Sequence, residues 1–223
     1  MTLTANVDDS ATGGSNIASA VYTLDGGSEV PMSAADSSFD EVSEDVTASV
    51  GSFASSGIHE FCVHGTDAAS NTGDPVCIEL AVYDPSGGFV TGAGTITSPA
   101  GADMENPTLE GPATFAFVSK YSAGASTPDG NLRFRFKKGD LMFDSTSMDW
   151  LVVTAQPRAI FRGDGLINGE TACKFEVNAY DGSLAPDSVD AFGLKIFACP
   201  GGNGRYNLPA TPLTAGNIKI HQN

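Results

Sequence analysis

The sequence has few cations, and its first half has none. Lys and Arg together number 11 against 27 Asp and Glu, which gives a formal net charge of −16, and no Lys or Arg precedes Lys120. A chain with this balance repels phosphate backbones and anionic lipid surfaces. The charge therefore argues against nucleic-acid partners. It predicts a solvated acidic surface that favours solubility and attracts divalent cations.

Long apolar runs are also missing. No run approaches the roughly 18 residues that a membrane-spanning helix needs. The first residues alternate between apolar and polar instead of forming a leader peptide. We therefore expect no membrane insertion of this fragment, and we expect export signals and anchors to lie outside it.

The motifs of common enzyme classes do not occur. The sequence has no Gly-x-Ser-x-Gly nucleophile motif and no Gly-x-x-x-x-Gly-Lys phosphate loop. His59 and Glu60 resemble the start of a zinc-protease motif, but the second histidine is His64, one residue too late, and the surrounding pattern is that of a strand. We therefore predict no catalytic residue and no enzyme activity.

The cysteines form one pair in each half of the chain. A hairpin that places Cys62 opposite Cys77 has its centre in the turn-rich loop 67–74, and a second turn signal lies midway between Cys173 and Cys199. This arrangement predicts two disulfides across neighbouring strands. A four-cysteine metal site is the weaker alternative, because no Cys-x-x-Cys spacing occurs. Disulfides in turn indicate an oxidising compartment, extracellular or at the cell surface.

Short alternating segments separated by turn residues fill the sequence. The first half predicts strands at 3–7, 17–24, 30–32, 44–50, 59–64 and 77–82. Pro31 marks the third of these as an edge. The second half predicts strands at 89–96, 113–121, 132–137, 141–143, 150–154, 158–163, 173–180, 192–199 and 218–220. Strands at this spacing, without a helical period, indicate an all-β fold.

A turn-rich segment divides the two halves. Pro85 restricts Asp84 to extended conformations, and two glycines follow. We therefore predict two consecutive β-sandwich domains. Residues 1–84 form an immunoglobulin-like or fibronectin-like sandwich, and residues 85–223 form a larger antiparallel sandwich or a jelly-roll-like module.

Two stretches resemble known families. Residues 65–72, Gly-Thr-Asp-Ala-Ala-Ser-Asn-Thr after a strand with Phe-Cys-Val, resemble the final hairpin of bacterial immunoglobulin-like repeats, a resemblance that covers residues 1–84. From Tyr-Asp-Pro-Ser-Gly-Gly-Phe-Val-Thr-Gly at 83–92 onward, the chain resembles the post-COAP module, with further matching stretches at 98–102, 117–121 and 150–153. The resemblance implies a C-terminal module of large exported bacterial proteins, following immunoglobulin-like repeats. It implies no catalytic residue.

Acidic loops supply the candidate metal ligands. Calcium prefers oxygen ligands from flexible acidic loops. The candidates are Asp8 and Asp9 in the first loop, Asp67 and Asp74 in the hairpin, Asp84 at the boundary, and Asp181, Asp187 and Asp190 in one loop of the second domain. Aspartates also occupy turns for backbone reasons alone, which is the alternative. We therefore predict no cofactor other than a possible calcium ion.

Aromatic side chains are the candidate contacts for a glycan, because rings stack on sugar faces. Trp150, Tyr121, Tyr180 and Tyr206 are available, and Trp150 is predicted to lie in the core because it begins an apolar run. The sequence predicts a non-catalytic structural spacer or display module of a secreted or cell-surface bacterial protein, with the other domains of that protein as partners. The alternative is an adhesion module that binds a glycan or a surface protein and is stabilised by calcium.

Overall fold

A computed structural model describes residues 1–53, 57–82, 88–154, 157–185, 188–202 and 204–221. The chain divides into two compact units, Met1–Val82 and Tyr83–Asn223. The predicted boundary between residues 84 and 85 lies outside the described residues. No helix of the described residues has the length and apolar character needed to cross a membrane.

The first unit is a sandwich of two antiparallel sheets. Its strands are β1 (Thr2–Asp8), β2 (Ile17–Leu24), β3 (Val30–Pro31), β4 (Ser33–Ala34), β5 (Ser43–Ser49), β6 (Gly57–Asp67) and β7 (Val76–Val82). One sheet has the order β1-β5-β4 and the other β3-β2-β6-β7. Alternate residues of each strand face the opposite sheet. The core between the sheets is built on Leu3, Tyr22, Val46 and Phe61.

The segment predicted as one edge strand at 30–32 is part of a stretch that pairs with both sheets. Val30 and Pro31 pair with β2 at the edge of one sheet, whereas Ser33 and Ala34 pair with β5 in the other. Met32, between them, is buried in the core. The chain therefore crosses from one sheet to the other at Met32, and the six predicted strands become seven.

The second unit is built on one large antiparallel sheet. Its strands are β8 (Phe89–Ser98), β9 (Gly111–Lys120), β10 (Asp129–Phe136), β11 (Leu141–Val153), β12 (Arg158–Ile167), β13 (Thr171–Tyr180), β14 (Ala191–Phe197), β15 (Tyr206–Pro212) and β16 (Ala215–His221). Short 3-10 turns cover Lys137–Gly139 and Gly182–Leu184. The nine strands have the order β15-β14-β13-β12-β11-β10-β9-β8-β16. Strands β8 to β15 thus follow one another as a meander, and β16 returns to pair with β8.

The sheet of the second unit folds over so that its inner face packs against itself. The ring of Phe115 in β9 stacks on that of Phe192 in β14, with centroids 4.0 Å apart, and Phe134 in β10 lies 5.0 Å from Tyr206 in β15. Gly92 in β8 leaves room for this packing, because a Cβ there would lie 2.6 Å from the ring of Phe117. The all-β fold with antiparallel sheets is confirmed.

The longest strand of this sheet contains two register shifts. The pairing of β11 with β12 shifts register between Ser145 and Ser147 and again between Met148 and Trp150. Each such bulge increases the local bend and twist of a strand. The bulges interrupt the alternation of apolar residues, which explains why the sequence predicts two separate strands at 141–143 and 150–154.

Both predicted disulfides are present. Cys62 and Cys77 are directly paired residues of β6 and β7. Cys173 in β13 bonds to Cys199, two residues beyond the end of β14. The register of these strands continues to place Ala198, not Cys199, opposite Cys173. Ala198 has a φ of 51°, and this left-handed residue redirects the chain so that Cys199 reaches its partner.

We expect each disulfide to stabilise its own unit. The cysteines of the first are separated by 15 residues and those of the second by 26. Each bond lowers the conformational entropy of the unfolded chain, and replacing its cysteines restores that entropy. The free energy of unfolding should therefore fall by about 3 kcal/mol when Cys62 and Cys77 are both replaced by Ala, and by about 3.5 kcal/mol when Cys173 and Cys199 are. Urea unfolding of both double variants, followed by Trp150 fluorescence for the second unit and by circular dichroism for the whole chain, measures the two losses. A double variant as stable as the parent contradicts the expectation.

Candidate functional site

The clearest candidate site is a cleft at one end of the second unit. Residues of four loops line it: the β8–β9, β10–β11, β12–β13 and β14–β15 connections. Its volume is about 670 Å³. The polar side chains that line it are Glu105, Asn106, Asp140, Asn168, Thr171 and Arg205. Met104, Ile167 and Pro200 add an apolar part.

A buried ion pair lies at the base of the cleft. Arg205, which is 8% exposed, pairs through its guanidinium with the fully buried carboxylate of Asp103. Oδ1 of Asp103 also accepts the backbone N–H groups of Glu105 and Asn106, both at 3.1 Å. The exposed carboxylate of Glu105 lies 3.2 Å from Nε of Arg205. The pair therefore holds the β8–β9 loop against the start of β15.

The other oxygen of Asp103 has no hydrogen-bond partner among the described residues. It lies beside Gly139, where a Cβ would come within 2.5 Å of it. Gly139 lines the cleft. A buried carboxylate oxygen without a donor is costly, and the adjacent guanidinium of Arg205 offsets part of that cost.

Backbone contacts place the ion pair. The N–H of Met104 donates to the carbonyl of Arg205 at 3.1 Å, and the N–H of Asn207 donates to the carbonyl of Ala102 at 2.8 Å. The β8–β9 loop thus adds to the outer edge of β15. Next to the pair, burial raises the pKa of Tyr206 to about 12, and its hydroxyl donates to Oγ of Ser98 at 2.7 Å.

This site is not among those predicted from the sequence. Arg205 follows a glycine-rich turn, a position that is usually exposed, and its partner lies 102 residues earlier in the chain. β15 carries Pro209 and Pro212, and proline is disfavoured within strands, so it was not predicted as a strand. No local sequence signal connects Asp103 with Arg205.

Two of the predicted calcium ligands cap the outer edge of β16. Oδ2 of Asp181 accepts the N–H of Ile220 at 3.0 Å, and Oδ1 accepts the N–H and hydroxyl of Ser183 and lies 3.3 Å from Nζ of Lys219. Burial raises the pKa of this carboxyl, but the hydrogen bonds from Ser183, Ile220 and Lys219 outweigh burial and hold the pKa below its ordinary value of 3.8.

Asp190 makes the same kind of contact with β16, two residues before the one that Asp181 binds. Its Oδ2 accepts the N–H of Ile218 at 2.7 Å, and its Oδ1 accepts the N–H of Gly182 at 2.8 Å. Asp181 and Asp190 together bind two N–H groups that β16 directs away from β8. The two carboxylates thus act as hydrogen-bond acceptors that stabilise the fold. This role explains why two aspartates occur in one loop.

Among the predicted ligands of the first unit, Asp8, Asp9 and Asp67 also accept hydrogen bonds within their own loops. Oδ1 of Asp8 accepts the N–H of Ser10, which lowers its pKa, and Oδ2 of Asp9 accepts the N–H of Ser15 at 2.8 Å. Asp84 and Asp187 lie outside the described residues. In the hairpin, Asp67 accepts hydrogen bonds from Asn71, and Asp74 is exposed.

One group of three potential metal ligands comes close together among the described residues. It consists of Glu60, Cys62 and Cys77. Its two cysteines form a disulfide and therefore supply no thiolate. Calcium binding stays a prediction of the sequence.

Trp150 is not in the core, which corrects the sequence expectation. It lies half-buried on the outer face of the sheet, because the bulge at Met148 shifts the strand's alternation. The guanidinium of Arg162 lies 5.3 Å from its ring centroid and 5.2 Å from that of Phe197. Nε of Arg162 also donates to the buried Glu176 at 3.2 Å. This cluster stabilises the outer face through cation–π contacts and an ion pair.

The candidate tyrosines do not form one exposed platform. Tyr206 is buried in the core. The hydroxyl of Tyr121 bonds to the backbone of Leu151, and Tyr180 lies under the guanidinium of Arg158 at 5.7 Å. The described aromatic side chains that sequence analysis selected thus serve packing, and they are spread over different parts of the second unit.

No family model, curated protein or solved structure matches the chain. The resemblances to bacterial immunoglobulin-like repeats and to the post-COAP module therefore stay predictions.

We expect the Asp103–Arg205 pair to be essential for the stability of the second unit. Arg205→Met leaves a buried carboxylate without its cation, which costs about 3–5 kcal/mol. Glu105→Gln, which removes the exposed partner of the same arginine, is the matched control and should cost less than about 1 kcal/mol. Urea unfolding compares the two variants. Equal losses for both would contradict the assigned role of Asp103.

We also expect Asp181→Asn to open the edge of β16. The amide cannot accept from both the N–H of Ile220 and the groups at Ser183, so the loss should be about 1–3 kcal/mol at neutral pH. The pKa of Asp181 is lowered on folding, so its contribution is present above the ordinary value of 3.8 and is lost as the pH falls through the folded value. The difference between the variant and the parent should therefore shrink in acid. Glu170→Gln, an exposed change in the β12–β13 turn, serves as control; a pH-independent difference argues against the carboxylate's role.

Proposed function

We propose that this chain is a non-catalytic structural module that spaces or displays neighbouring domains of an exported bacterial protein. One observation carries the proposal: each unit has its own core and its own disulfide. Modules of this construction withstand an oxidising environment outside the cell. The strongly acidic composition supports a role in solution.

The use of the charged side chains supports the same proposal. The carboxylates of Asp181 and Asp190 hold the edge of β16, and the carboxylate of Asp103 holds the β8–β9 loop. Asp144 bridges Arg133 and Arg135 on β10. Among the described residues, these groups form cross-strand contacts and not a pair of carboxylates facing a common substrate, which a hydrolase of sugars would need.

The second candidate function is recognition of a glycan, and the cleft at the loop end favours it. The cleft offers carboxylate and amide groups for hydroxyls, the guanidinium of Arg205, and an apolar wall at Met104. Its volume is in the range of small-molecule sites. Calcium belongs to this candidate, as a stabiliser of the acidic loops.

A glycan array probed with the intact chain distinguishes the two functions. The display function predicts no selective binding, either with calcium or with excess chelator. Selective binding of one sugar class would replace the display function with recognition. Calcium dependence of that binding would support the predicted calcium site.

Variants then locate any selective binding. Thr171→Trp fills the cleft from the β12–β13 side, whereas Thr97→Trp changes an exposed residue of β8 and is the control. Binding that is lost with the first variant and kept with the second assigns the glycan to the cleft. Binding that both variants keep places the glycan elsewhere.

A further inference from the structure

The first unit has an apolar groove between two edge strands. The groove has a volume of about 540 Å³ and runs between β1 and β7. Among the described strands, β1 pairs only with β5, and β7 pairs only with β6. The side chains that line the groove from these two strands include Leu3, Ala5, Val7, Val76 and Ile78.

The groove exists because the two sheets of the sandwich differ in width. The sheet that contains β7 has four strands, and the sheet that contains β1 has three. Ile78 pairs with Phe61, whose side chain faces the core and is 1% exposed, so Ile78 points toward the opposite sheet. Ile78 is nevertheless 58% exposed and Val76 is 73% exposed. No described strand therefore lies opposite Val76 and Ile78 on the inward side of β7.

The edge of β1 lacks the usual protection against pairing. Natural edge strands carry Lys, Pro or bulges that block the approach of another strand. Residues 2–7, Thr-Leu-Thr-Ala-Asn-Val, contain no charge and no proline, and they pair with β5 in unbroken register from Thr2↔Ser49 to Asp8↔Ser43. Alternate residues of β1 direct their N–H and C=O groups away from β5. This edge is suited to accept one more strand.

In the second unit, both edge strands make hydrogen bonds on their outer sides. The outer edge of β15 binds the backbone of the β8–β9 loop, and the outer N–H groups of β16 are bound by Asp181 and Asp190. The second unit therefore covers part of both edges of its sheet, whereas no described strand pairs with the outer edge of β1 or β7 in the first unit.

Charge identifies the kind of strand that fits. The first unit contains no Lys or Arg. Asp8 and Asp74 are exposed at the rim of the groove, and Asp9 lies beside them. A second copy of the same unit would bring two acidic rims together, which is unfavourable. A strand with cations on its outward side would find complementary charge.

We propose that the groove between β1 and β7 binds an extended segment of a partner protein in which apolar residues alternate with Lys or Arg. The segment adds to β1 through main-chain hydrogen bonds. Its apolar side chains fill the groove beside Val76 and Ile78, and its cations lie on the outward face beside the exposed carboxylate of Asp8. In binding of this kind, main-chain hydrogen bonds provide the affinity, and the fit of alternate side chains provides the specificity.

The probe is a synthetic peptide, Lys-Val-Lys-Val-Lys-Val-Lys, titrated into the intact chain by calorimetry. The control peptide has the same composition with its three valines adjacent, so that it keeps the charge and loses the alternation. We expect the first peptide to bind and to slow hydrogen exchange at the amides of β1. The second peptide should bind at least about tenfold more weakly, because its cations would enter the apolar groove. Equal binding of both peptides would show attraction by charge alone and would overturn the proposal.

Two matched variants test the location. Ile78→Lys places a cation in the groove at an exposed position, and Val189→Lys makes the same change at a position of the second unit that is 62% exposed. Loss of at least about tenfold in affinity is expected with the first, from burial of an unpaired charge, and none with the second. Equal affinities of the two variants, or no change in hydrogen exchange of β1 in the parent chain, would refute the site. Self-association of the chain that Ile78→Lys abolishes would replace the cationic partner with a second copy.

Discussion

The hydrogen-bonding capacity of strand edges is the constraint that shapes both units. A sheet that is not closed leaves N–H and C=O groups on its two outer strands. In the second unit the backbone around Met104 covers β15, and the buried pair of Asp103 and Arg205 holds that backbone in place. At the other edge, two carboxylates bind the outer N–H groups of β16. Closure by these contacts lets the inner face pack into one aromatic core.

The same constraint explains how the acidic side chains are used. A buried carboxylate is expensive unless donors surround it. Asp181 meets that condition with the backbone of Ile220 and with Ser183, and Asp103 meets it with one oxygen only. Both aspartates thus stabilise the fold, but the second oxygen of Asp103 lacks a donor among the described residues. The sequence shows the aspartates but not which of them are buried.

Alternation and turn residues were sufficient to predict the all-β fold, most of the strands and both disulfides. Prediction failed where the alternation itself is interrupted. The bulges in β11 moved Trp150 from the expected core to the outer face, and the prolines of β15 concealed a strand. The cleft was beyond reach because Asp103 and Arg205 are far apart in sequence, and only the folding of the sheet brings them together. Periodicity reports which side of a strand is buried, but it does not report which strands meet.

The position of the disulfides also determines how the chain carries mechanical tension. In the first unit, a pulling force along the chain passes from Cys62 directly to Cys77 and does not act on the hairpin turn between them. In the second unit, the bond between Cys173 and Cys199 removes the β13–β14 connection from the load in the same way. At roughly 3.5 Å per residue, the bond in the first unit prevents about 50 Å of chain extension, and the bond in the second unit prevents about 90 Å. A chain tethered between a cell and its surroundings would therefore stay shorter under shear than its number of residues implies.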